Sequence, residues 1–145
     1  MGLFSSESTA TAGELNLVAA QAVIAAAVKR AEKIGVPMNV AVVDAGNNLT
    51  SFARQDGAWL GSIDIAQGKA YTARAFDMTT AELGAEAQPG KSLYGIEASN
   101  DGRLIVFGGG IPLKDGEEVV GAIGVSGGTV DQDEEVAEAG AAAYA

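Results

Sequence analysis

The chain contains no histidine and no cysteine, and each absence closes off a branch of chemistry. Without histidine it lacks the commonest general base and the commonest transition-metal ligand. Without cysteine there is no disulfide framework, no thiolate metal site and no thiol nucleophile, so usage of that residue says nothing about compartment. Positive charge is also scarce: nine Lys and Arg stand against nineteen Asp and Glu, a net charge of −10. Such a surface offers no basic stripe to neutralise phosphates, which argues against nucleic acid or an anionic membrane as partner. No apolar run reaches the ~20 residues of a membrane span, and the polar start from Met1 to Thr11 lacks a basic leader segment. The expectation is a flexible lead over 1–11, then one domain over 12–145, in the cytoplasm, with export left open if a signal preceded the chain.

What is present is glycine, concentrated in RLIVFGGGIPLKDGEEVVGAIGVSGG over residues 103–128. Two apolar, β-branched runs flank Lys114, Asp115, Gly116 and Glu117, a pattern that predicts an antiparallel hairpin. Its strands carry more glycine than strands tolerate without a reason, since each costs roughly 0.5–1 kcal/mol relative to alanine. Either something packs unusually close, a helix or another subunit, or a flat ligand lies against the backbone.

Upstream, Thr11 and Glu14 form a candidate capping box, so a helix is expected to start there. Leu15, Val18, Ala19, Ala22, Val23 and Ala26 supply its apolar stripe; Gly35 and Pro37 stop it. NVAVVD and LTSFAR, joined by Ala45, Gly46, Asn47 and Asn48, predict a second hairpin. A helix over 62–76 follows, with Ile63, Ala66, Ala70 and Ala73 on one face and Gly68 marking a close crossing. Capping boxes at Thr79/Glu82 and Thr129/Gln132 predict a short helix and the last long one. The order α-β-β-α-α-β-β-α gives an α+β sandwich of helices on one antiparallel sheet.

RQDGA at 54–58, GKAYTA at 68–73, FGGGIPL at 107–113 and GAIGVSGGTVDQDEEVAEAGA at 121–141 resemble the GlcG/HbpS family of haem-binding proteins. The same domain is similar to the C-terminal part of PduO corrinoid adenosyltransferases. The resemblance covers about 130 residues, from Glu14 to Ala143. It implies a profilin-like fold with a five-stranded antiparallel sheet flanked by helices, a homo-oligomer that is octameric in some relatives, and haem or another tetrapyrrole as ligand. The role it implies is sensor, carrier or accessory protein; the alternative is an enzyme or accessory factor in small organic acid catabolism.

Haem would have to be held here without histidine, which leaves Tyr71, Tyr94, Tyr144, Met38 and Met78 as replacement iron ligands or as packing residues, or contacts to the macrocycle and propionates alone. The cations inside family motifs, Arg54 and Lys69, are the candidates for holding carboxylates of a tetrapyrrole or a small acid. Under the enzymatic alternative Asp56 or Lys69 moves a proton. Against these roles stand plain ion pairs, Arg54 with Asp56 and Lys69 with Asp64. Arg54, Asp56, Lys69, Tyr94, Gly108, Gly109, Gly110, Ser126, Gly127 and Gly128 make up the candidate ligand site, on which the 54–57 turn, the helix bearing Lys69 and the strand from Gly108 are expected to converge close to a subunit boundary. Ser126 is a poor nucleophile, with no base nearby in sequence.

Overall fold

The computed structural model describes residues 14–144; the lead over 1–11 and the Thr11 hydroxyl of the first expected capping box lie outside them. Within that span the element order is the expected one. Helix α1 (Leu17–Ile34) leads into strands β1 (Asn39–Asp44) and β2 (Leu49–Arg54), then α2 (Gly61–Phe76) and the short α3 (Thr80–Glu86). Two 3₁₀ turns (Ile96–Ala98 and Asn100–Gly102) precede β3 (Gly110–Asp115), β4 (Glu118–Ser126) and α4 (Val130–Ala142).

Helix α1 starts later than the sequence suggested, at an Asn16 cap whose side chain accepts from the Ala19 amide. Its buried face is also rotated: Ala20, Val23, Ile24, Ala27 and Ala31 point inward, whereas Val18 is exposed. The reason is compositional, since 17–28 holds a single polar residue, Gln21, and so specifies no unique stripe. Its end is as expected: Gly35 adopts a left-handed conformation (φ 74°) and its N–H closes on Ala31 and Glu32. Both downstream capping boxes form, Thr79 with Glu82 and Thr129 with Gln132.

The described residues form a four-stranded antiparallel sheet in the order β2-β1-β4-β3, where a five-stranded one was expected. The apolar run 104–107 is not a strand. The Ile105 N–H donates to the Thr72 hydroxyl (3.0 Å), and the segment lies over α2 and α3 instead of pairing with β4. Ladder pairing begins only at Gly110, opposite Gly124.

Alternation along β1 divides the core in two. Val40 and Val42 point to a face shared with Val125, Ile123, α1 and α4; Ala41 and Val43 point to the other, against Ala66, Ala70 and Ala73 of α2. Helices therefore cover both faces of the sheet. On the α2 side the side chains are nearly all alanine, so the helix backbone rides directly on β4. A methyl group on Gly124 would overlap the Ala66 carbonyl and the Ala70 amide, both backbone atoms that cannot rotate away. Gly124→Ala is therefore expected to destabilise the fold by about 3 kcal/mol in urea unfolding, at the upper end of overpacking costs. Gly61→Ala, where nothing lies within 4 Å, should leave stability unchanged or slightly raised.

Candidate functional site

Lys69 lies on the buried stripe of α2, beside Ala66, Ala70 and Ala73, and none of it reaches solvent. Its ammonium donates to the Val125 carbonyl (2.8 Å) and to Oδ2 of Asp133 (2.9 Å). Asp133 occupies the matching position on α4, on a buried stripe with Val136, Ala137 and Gly140, and its Oδ1 accepts from the Gly128 N–H (2.9 Å). Because α2 and α4 cover opposite faces of the sheet, this ion pair ties the two helical layers together at the sheet's end. Phe107 closes the pair from outside, its ring centroid 4.9 Å from Lys69 Nζ.

Burial pushes the Lys69 ammonium below its usual 10.5, against the upward pull of the Asp133 and Glu134 charges. Burial likewise pushes the Asp133 carboxyl above its usual 3.8, opposed by Lys69 and by the Gly128 and Gly127 N–H groups. Desolvation is thus the largest cause on both partners.

The glycines of the hairpin make room for this lysine and its surroundings. A Cβ on Gly109 would sit 2.7 Å from Lys69 Nζ, one on Gly110 2.5 Å from the Lys69 carbonyl and one on Gly124 3.0 Å from Lys69 Cβ. One on Gly108 would meet the Glu134 carboxylate, one on Gly127 the Pro37 carbonyl and one on Gly128 the Gln132 side chain. The close neighbour expected from composition is the chain itself.

The expected site residues therefore divide into three groups. Lys69, Gly108, Gly109, Gly110, Gly127 and Gly128 surround the buried pair, and Lys69 pairs with Asp133, not with Asp64. Ser126 is buried beside them on the α2 face, where its hydroxyl bonds to that of Ser62 (3.1 Å). Arg54 and Asp56 instead line an open groove of about 530 Å³ with Val28, Val36 and Pro37. They do not form the suggested ion pair: Arg54 Nη1 donates to the Ala58 carbonyl (3.2 Å). Tyr94 stands apart on the 88–95 turn, 67% exposed. Sequence reasoning missed Asp133 and Phe107, although an acid at a core position of an amphipathic helix was a signal for the first.

A family profile described as "Haem degrading protein HbpS-like" matches residues 15–142. The chain belongs to the HbpS-like family. A 15.0 kDa protein encoded in the dhaT-dhaS intergenic region of Citrobacter freundii is 44% identical over 124 residues, spanning 86% of this chain and 87% of that protein. The crystal structure of a PduOC:heme complex is 38% identical with a TM-score of 0.86, over 90% of this chain and 94% of the other. A double mutant of Streptomyces reticuli HbpS is 34% identical with a TM-score of 0.82, over 97% and 93%.

The residues of this HbpS-like chain suit the organic part of haem better than its iron. Among the described residues no group of three Asp or Glu side chains is placed to hold a metal ion. Met38 is fully buried, and the Tyr71 hydroxyl accepts from Asn100 Nδ2 (3.0 Å) beneath the Arg103 guanidinium. Burial, with Asp115 and Glu118, raises the Tyr144 phenol above its usual 10, disfavouring the phenolate that binds ferric iron. Exposed cationic and apolar groups for propionates and macrocycle are present, and of the candidate iron ligands Tyr94 is the exposed one, with Met78 partly buried.

Breaking a buried ion pair strands the remaining charge. Lys69→Met is expected to cost about 3–5 kcal/mol in urea unfolding. A loss under about 1 kcal/mol would show that Lys69 is free to serve a ligand.

Proposed function

We propose that this chain is a binding protein for flat, carboxylate-bearing ligands of the tetrapyrrole class, haem among them, held without a strong axial bond. The observation that carries this reading is the likeness, at 38% identity and over nine-tenths of the chain, to a domain crystallised with haem. Arg54 is the cation assigned to a propionate. It lines a groove with Asp56 and opens the 54–60 connection, which also carries the exposed apolar side chains of Trp59 (65%) and Leu60 (72%). Sensor, carrier and accessory roles all use such binding.

Self-association, up to an octamer, belongs to the same proposal. The hairpin glycines, which composition left open to a neighbouring subunit, meet mostly the chain's own atoms. What supports self-association is the set of exposed apolar side chains Leu17, Val18, Trp59, Leu60 and Val130. Catalysis on a small acid is less well supported, because Lys69 is committed to Asp133 and Arg54 is the one cation among the described residues lining its groove.

Titration with haemin and with metal-free protoporphyrin IX tests the reading. Both should bind with affinities within about threefold of each other, under about 0.7 kcal/mol apart, and haemin should show a broadened Soret band. Arg54→Ala should weaken both by roughly 10–100-fold, the scale of a lost charge-assisted hydrogen bond. A sharp six-coordinate haem spectrum, with haemin bound about 100-fold tighter than the metal-free porphyrin, would contradict it.

A further inference from the structure

A second concavity, of about 450 Å³, opens between α2, the β1-β2 turn and the 102–105 segment. That volume falls within the range of small-molecule sites. Its wall is largely apolar, with Val43, Ile65 and Ile105 around Gly68. Gly68 explains how the wall closes: a Cβ there would come within 2.8 Å of Ile105, so only glycine lets the segment lie on the helix.

Two opposite charges line this cleft, and they do not pair with each other. Arg103 is held in place from two sides. Its guanidinium stacks on the Tyr71 ring at 4.1 Å, and its Nε donates to the Asn100 carbonyl (3.0 Å). Asn100 in turn donates from Nδ2 to the Tyr71 hydroxyl (3.0 Å), closing a ring of three residues. Yet among the described residues no carboxylate pairs with Arg103, whereas Arg30 and Arg74 pair with Glu135 and Asp77. A fixed guanidinium with open donors has already lost the rotamer freedom that binding would otherwise cost. On α2, Asp64 lines the same cleft, with no cation paired to it among the described residues.

We infer that this cleft binds a zwitterion with an apolar body: an amino acid with a branched or aromatic side chain. Arg103 receives the carboxylate, Asp64 the ammonium, and the surface around Val43, Ile65 and Ile105 the apolar side chain. Asp64 disfavours a second carboxylate at its end, and Arg103 disfavours a simple amine. The site is separate from the Arg54 groove and does not rest on the tetrapyrrole reading.

Calorimetry on the full chain with four probes tests the assignment. L-Phenylalanine and L-leucine should bind saturably. Phenethylamine, which lacks the carboxylate, and phenylacetate, which lacks the ammonium, should each bind at least about tenfold more weakly than L-phenylalanine, as for a lost charge-assisted contact. Arg103→Gln should abolish the preference for L-phenylalanine over phenethylamine, and Asp64→Asn the preference over phenylacetate. Reading ratios within each variant keeps the result separate from any change in folding. Arg54→Ala should leave all four affinities unchanged. The proposal is overturned if neither amino acid binds saturably up to about 10 mM, an affinity weaker than about 3 kcal/mol, or if the Arg103 and Asp64 variants keep the wild-type ratios.

Discussion

The structure depends on one buried contact, the 2.9 Å ion pair between Lys69 and Asp133. A sheet with helices on both faces has two cores, and the strands separate them. Here the α2 core is little more than alanine, Ala41, Ala66, Ala70, Ala73 and Ala122 with Val43, so apolar burial alone holds that layer weakly. Lys69 compensates by reaching past the sheet's end to the opposite layer, where the fully satisfied pair fixes the first turn of α4. The cost is desolvation, the largest influence on both partners, which is why the surroundings supply the Val125 carbonyl, the Gly128 N–H and the Phe107 ring. The hairpin's glycines follow from the same constraint: side chains at Gly109, Gly110 or Gly124 would occupy the lysine's space.

This arrangement redistributes the functional roles. With Lys69 committed internally, the accessible cations include Arg54, bonded to the Ala58 carbonyl, and Arg103, stacked on Tyr71. Membership of the HbpS-like family does not by itself fix a ligand, because function rests on the side chains of a site and not on the fold that carries it. In this chain, which has no histidine, Met38 is sealed in the core and Tyr71 and Tyr144 are engaged or held neutral.

Much of the fold was legible because local chemistry specified it: the two capping boxes, the glycine end of α1, the Asn47 turn and the order of elements. The run 104–107 misled because β-branched residues suit any extended segment, and only Thr72 and α2 decide where its N–H groups go. The phase of α1 was unreadable in a helix apolar nearly all round. For the site, Lys69 was visible as a residue but its partner was not, since local spacing pointed to Asp64 and the true partner lies 64 residues on. The signal was present in both helices. Lys69 shares a stripe with Ala66, Ala70 and Ala73, and Asp133 with Val136, Ala137 and Gly140. Two opposite charges on two buried stripes imply each other, because neither can be buried alone. The Arg103–Tyr71 stack had no such signal, as its members meet only through the folding of an irregular segment.

The central claim is that Lys69 and Asp133 stabilise the fold through each other, and a double-mutant cycle measures that coupling directly. Urea unfolding of Lys69→Met, Asp133→Leu and the combined variant should give an interaction energy of about 2–3 kcal/mol, the double variant losing that much less than the sum of the two single losses. An interaction energy below about 0.5 kcal/mol, with the two losses simply adding, would contradict the account.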